Sequence, residues 1–147
     1  MTDSGVSEAD FWQQVKRNLP QDVHASRIEN TVGSGISDVN VARKGFGELW
    51  LELKVTHGKN VHFRNSQRSW IAARTDAGGR VLVVLRDGKE VITYDARTVV
   101  LACPYTAIKD KKSFYVKLED MRGMLFRDTQ PVSWDRFWTA AFGTQGA

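Results

Sequence analysis

At 147 residues, with 41% hydrophobic and 26% charged side chains, the chain reads as one soluble globular domain with a single core. No apolar run approaches the roughly 20 residues needed to cross a bilayer. The opening MTDSGVSEAD also lacks the basic and apolar regions of a secretion signal, so the expected location is the cytoplasm of whatever cell makes the protein. A net charge of +4 suits a polyanionic partner, and the single cysteine, Cys103, excludes an internal disulfide or a cysteine zinc cluster. In the apolar run 99–103 that thiol is expected to be buried and inert.

Ser7-Glu8-Ala9-Asp10 opens like a capped helix, with a serine N-cap and acids in the first turn, and Pro20 stops it. Phe11, Val15 and Leu19 form the stripe that packs on a sheet, and Glu8 complements the helix dipole. Residues 23–30 then read as an irregular strand leading into Gly33-Ser34-Gly35.

The stretch 33–55, GSGISDVNVARKGFGELWLELKV, predicts two short strands joined at Gly45-Phe46-Gly47. Val39, Val41, Leu49, Leu51, Leu53 and Val55 are all odd-numbered, while Asp38, Asn40, Lys44, Glu48, Glu52 and Lys54 are even. Strand side chains alternate faces, so Asp38, Glu52 and Lys54 share one face and the other is a hydrophobic wall. A turn pairing Lys44 with Glu48 places Asp38 across from Lys54. Two carboxylates brought within a few ångströms repel each other, and a divalent cation relieves the repulsion. Mg²⁺ (or Mn²⁺) takes one or two carboxylates and keeps room for a phosphate oxygen and a polarised water, the parts of phosphodiester hydrolysis. Lys54 would assist that water or stabilise charge on the phosphorane. The competing reading is a polar sheet face carrying a Lys-Glu pair.

This pattern resembles the PD-(D/E)xK nuclease superfamily, with Asp38 as its first acid and Glu52-Leu53-Lys54 as its second element; Ser37 stands where the family often has proline. Arg27-Ile28-Glu29-Asn30, Trp50-Leu51-Glu52-Leu53-Lys54 and Gln67-x-x-Trp70 resemble the VRR-NUC and phage-type Holliday junction resolvase branch most, over residues 27–85. The resemblance implies an α/β, restriction-endonuclease-like core, a central mixed sheet flanked by helices, filling a single domain over 1–147 with a C-terminal helical extension. It also implies a homodimeric endonuclease acting on branched DNA, with Asp38, Glu52, Lys54 and Gln67 catalytic. Asp38 and Glu52 would bind the metal. Glu29 is either a third acid or a surface partner of Arg27 or Arg43, and the resemblance favours the acid; it also makes Glu8 a candidate outer ligand. The implied role of Gln67 is to orient Lys54 or a water.

Residues 56–62 read as a loop into a helix, capped by Asn65 or Ser66 and running to about Ala73. His57 and His62 lack the i, i+4 spacing of a helical metal pair. Val81 to Leu85 suits a strand covered on both faces, Asp87-Gly88 a hairpin, and Val91 to Tyr94 its return. Residues 97–103 fit a short helix or strand, and 114–117 alternate weakly. Pro131-Val132-Ser133 opens a final helix whose Trp134, Phe137, Trp138 and Ala141 dock on the core. Arg64, Arg68 and Arg74, with Lys109, Lys111 and Lys112, are the candidate DNA contacts, basic surroundings for an acidic centre.

Overall fold

The computed structural model describes residues 5–28 and 35–143. A helix α1 (Glu8–Arg17) leads into strands β1 (Val23–Arg27), β2 (Val39–Arg43), β3 (Gly47–Val55) and β4 (Asn60–Arg64). Helix α2 (Asn65–Asp76) follows, then β5 (Val81–Asp87), β6 (Glu90–Asp95) and two short helices, α3 (Arg97–Ala102) and α4 (Tyr105–Ile108). Strands β7 (Ser113–Lys117) and β8 (Met124–Thr129) and the helix α5 (Trp134–Phe142) follow. Six strands form one sheet in the order β1-β2-β3-β5-β6-β8, while β4 and β7 pair separately as a two-stranded ribbon. Among the described strands only β3 and β5 run parallel, and the path between them, as a parallel pair demands, is a long crossover through β4 and α2. The result is an α/β chain, a mixed sheet flanked by helices.

Alternation along the strands decides which layer each side chain enters. Val39, Val41, Leu49, Leu51 and Leu53 face α1 and α5, where Phe11, Val15, Phe137 and Trp138 are fully or almost fully buried. On the opposite face Val83, Leu85 and Ile92 meet Ile71 of α2, Val99 of α3, and Val61, Phe63, Phe114 and Val116 of the ribbon. Strand β3 is therefore covered on both sides. Its even-numbered face is an interior and not a solvated surface: Glu52 is fully buried and Lys54 nearly so.

The β2-β3 register differs from the sequence expectation by two residues. Arg43 pairs with Gly47, and Val39 with Leu51, because the three-residue turn is Lys44-Gly45-Phe46, one residue earlier than expected, closed by the Phe46 N–H bond to the Arg43 carbonyl. Gly45 and Gly47 both take positive φ, which glycine adopts without strain. A shift of two keeps every side chain on its expected face, but it sets Glu48 opposite Ala42 and carries Asp38 opposite Glu52 in place of Lys54. A second correction concerns residues 56–62, expected as loop: from Asn60 on they belong to β4, Asn60–Arg64. Val61 and Phe63 alternate with His62 and Arg64, a period of two that a run this short displays faintly.

Ser7 and Asp10 form the expected capping box on α1. In α2 the cap position falls to Arg64, whose N–H is accepted by the Gln67 side chain, while the Asn65 amide instead binds the carbonyls of Ile108 and Lys111. Residues 97–102 resolve as helix, and Cys103, just beyond, is half-buried. In α5, Phe137 and Trp138 stack edge-on at 4.8 Å, and the Trp138 indole donates to the Asn18 carbonyl at 2.9 Å, tying the last helix to the end of the first. Trp138→Ala is expected to cost about 3–5 kcal/mol in chemical denaturation through the cavity it leaves. Leu101→Ala, at a side chain 80% exposed, should stay within about 0.5 kcal/mol of wild type.

Candidate active site

Strand β2 begins at Val39, one residue after Asp38, whereas its neighbour β3 runs on past that level to Val55. The Leu53 N–H, past the end of that ladder, is accepted by Asp38 Oδ2 at 2.8 Å, and the Asp38 carbonyl accepts from Ile28 N–H at 2.7 Å. Asp38 is thus held by three strands' worth of backbone at the point where the sheet opens. Across from it lies Glu52, its side chain within hydrogen-bonding reach of the Asp38 carboxyl. Burial first, and then the like charge of Asp38, push the Glu52 carboxyl well above the usual carboxylate range, with Lys54 pulling the other way.

Gln67, on the first turn of α2, fixes the rest. Its Oε1 accepts from Lys54 Nζ at 3.0 Å and from the Arg64 N–H at 2.9 Å, so its Nε2 must face the acid, 3.5 Å from Glu52 Oε2. Lys54 Nζ also lies 5.0 Å from the centre of the Phe63 ring. Glu52 Oε1 is buried with no hydrogen-bond partner among the described residues. Gly35 brings the segment before Asp38 into backbone contact with α2; a Cβ there would overlap the Ser66 carbonyl, and φ is +76°.

An open cleft of about 470 Å³ lies above these groups, lined by Glu8, Arg27, Ile28, Asp38, Lys54, His62, Arg64 and Gln67. Glu8 starts α1 as expected and also faces the cleft. The surrounding chain crowds its carboxyl enough to raise its pKa, against Lys54 and, more weakly, with Asp38. His62 is pushed down by burial, then by Lys54, His57 and Arg64. A roomier cavity of about 810 Å³ is walled by Ile92, Tyr94 and Met121, and its Asp87 and Glu90 carboxylates are already paired with Lys59 and Arg127. The chemistry therefore concentrates in the smaller cleft.

Among the sequence candidates, Asp38, Glu52, Lys54 and Gln67 come together. Arg64 is exposed on the rim. The loop carrying Lys109, Lys111 and Lys112 is held beside it, through the Asn65 amide on the Lys111 carbonyl and the Asn65 N–H bond to Lys112 at 3.0 Å. Arg74 lies ten residues along α2 from Arg64, about 15 Å away by helical rise, with its guanidinium over Trp50 and Trp70. Arg68 is buried, not presented to a ligand: its Nε donates to the Cys103 carbonyl at 2.6 Å, satisfying the end of α3. Glu29 and the turn at Gly33-Ser34 lie outside the described residues. Arg27 and His62 also line the cleft, and the sequence marks neither as a site residue; the faint two-residue period of 60–64 is its one signal for His62.

The donor set suits a small hard cation. Two carboxyls facing each other across adjacent strands, one with an unpartnered buried oxygen, either share a proton or bind a positive ion. Among the described residues no group of three or more His, Cys, Asp and Glu side chains is placed to hold a metal, but magnesium needs only one or two carboxylates.

No family model matches the chain, and no curated protein matches it either. Among solved structures, it is similar to Hjc of Archaeoglobus fulgidus, described as a Holliday junction resolvase from an archaeal hyperthermophile. The TM-score is 0.47 at 12% sequence identity, covering 77% of this chain and 89% of that one.

A carboxyl whose folded-state pKa is raised binds more protons in the folded than in the unfolded chain. Its contribution therefore favours the fold at low pH and is lost as pH climbs from the ordinary glutamate value of about 4.3. With divalent ions chelated, Glu52→Gln is expected to flatten the decline of stability between acid and neutral pH and to be at least as stable as wild type at pH 7. Thermal melts across that range check it; a steeper decline in the variant would contradict it.

Proposed function

We propose that the chain is a divalent-metal-dependent DNA endonuclease that hydrolyses phosphodiester bonds, acting on branched or Holliday-junction DNA. One observation carries the reading: two carboxyls facing each other across adjacent strands, the deeper one with an unpartnered oxygen, sit beside a lysine held by a glutamine beneath a cleft with basic residues on its rim. Asp38 and Glu52 would hold Mg²⁺ or Mn²⁺, which when bound polarises the scissile phosphate and activates water. Glu8 supplies a carboxylate at the cleft mouth, and Glu29 is carried as a further candidate acid.

Each remaining part acts through its own position. The Lys54 ammonium, held by Gln67 Oε1 at 3.0 Å, stabilises negative charge as the phosphorus takes on a fifth oxygen. Gln67 holds that ammonium with its carbonyl and gives its amide to one Glu52 oxygen, leaving the other, Oε1, for the cation. Arg64 and Arg27, with Lys109, Lys111 and Lys112 alongside, hold phosphates of the flanking backbone. Two symmetric cuts in a four-way junction need two sites, which a two-fold homodimer supplies. The second reading is a DNA-binding module with this cleft but no hydrolysis; it is favoured by the complete burial of Glu52 beneath Gln67 and Lys54.

Asp38→Asn, Glu52→Gln and Lys54→Ala are each expected to reduce cleavage by roughly a thousandfold or more, with DNA affinity within a few fold of wild type. Chelation of divalent ions should stop the wild-type reaction and added Mg²⁺ or Mn²⁺ restore it. Full activity in Asp38→Asn, or a wild type inert on four-way, flap and duplex DNA alike, would favour the binding module. Equal rates on duplex and junction would remove the branched-DNA preference alone.

A further inference from the structure

The ribbon of β4 and β7 turns one side inward, where Phe63 and Phe114 stack at 5.8 Å and Val61 and Val116 join the core. Its other side is outward, and register places Asn60 across from Lys117, His62 across from Tyr115, and Arg64 across from Ser113. At the centre the rings of His62 and Tyr115 lie 5.0 Å apart and tilted by 54°. His62 lines the cleft, whereas Tyr115 is 62% exposed. A large aromatic ring left in water in the middle of a two-stranded ribbon forgoes the burial that normally justifies it. Here it is bracketed by cations: Arg64 and Lys117 on the same face, and Lys111 and Lys112 in the loop that enters β7.

We infer that the outward face of this ribbon is a stacking platform for an unpaired DNA base, with Tyr115 and His62 as the ring surface and Arg64 and Lys117 on the adjoining phosphates. Every base has a π-face, so the contact is sequence-tolerant and requires only that the base be out of its duplex. A paired base cannot present its face to Tyr115 without unstacking, so the platform discriminates by strand structure. A strand lying on it passes His62 directly into the cleft, which puts the opened nucleotide next to the phosphate above Asp38 and Lys54. The inference rests on the nucleic-acid part of the function proposed above and not on its chemistry.

The test measures affinity and 2-aminopurine fluorescence with two DNAs of one sequence, a fork with the probe base unpaired and a fully paired duplex. The protein is the full chain carrying Asp38→Asn, to block cleavage. Tyr115→Ala is expected to weaken fork binding roughly ten- to a hundredfold, to abolish the fluorescence change, and to leave duplex affinity within about twofold. Tyr115→Phe should restore both readouts. Tyr115→Leu keeps apolar bulk against His62 without a π-face and should behave as Tyr115→Ala, which separates stacking from ribbon stability. Unchanged fork binding in Tyr115→Ala, equal losses on fork and duplex, or wild-type binding by Tyr115→Leu would each overturn the inference. Cleavage by the chain with its native Asp38 gives an independent result: stacking without cleavage sinks the nuclease chemistry alone, and cleavage without stacking sinks the platform alone.

Discussion

A glutamate with no exposure to water stands in the middle of the central strand, and much of the surrounding structure answers to it. An isolated ionised carboxylate in a protein interior is so costly that it takes a proton or acquires a partner. Glu52 faces three conflicting neighbours: the apolar layer of Val83 and Leu85 along β5, the like charge of Asp38, and the opposite charge of Lys54. Gln67 keeps Lys54 at one side with its carbonyl and offers its amide to one carboxylate oxygen, leaving the other open. The arrangement is incomplete without a positive ion or a proton, and that incompleteness is what makes the site chemically interesting.

The sheet order explains why the incompleteness persists. Because β3 pairs in parallel with β5, the chain must cross over, and the crossover lays the ribbon strand β4 and the helix α2 on the acidic face. The same crossover that buries Glu52 therefore delivers Gln67 and Arg64 to it. On the other face α1 and α5 seal the hydrophobic side of β3, and the start of α1 carries Glu8 to the cleft mouth. One strand is thus shared by a core and a reactive cleft.

What the sequence disclosed follows from the range of the interactions concerned. The face of Asp38, Glu52 and Lys54 was legible because strand parity is a local property, and it survived a register error of two residues for the same reason. The register itself depended on where a three-residue turn starts, at Lys44 or at Gly45, which residue identities alone do not settle. Strand β4 was lost because its five residues pair with β7, some fifty positions later, and carry only two buried side chains of their own. Arg68 looked like a surface cation, but its setting is decided by α3, whose carbonyls lie 32 and 35 residues away along the chain. The partnership of Gln67 with Lys54 came from family resemblance; without it, a glutamine at the start of a helix gives no such signal.

Gly35 carries a different kind of message. Where its backbone touches that of Ser66, the approach to Asp38 and the beginning of α2 are separated by less than the width of a methyl group. The acid and the amide that faces its neighbour thus share a common hinge point with no slack in it. Position 35 works as a gauge block, setting the spacing of the two halves of the cleft by having nothing there at all.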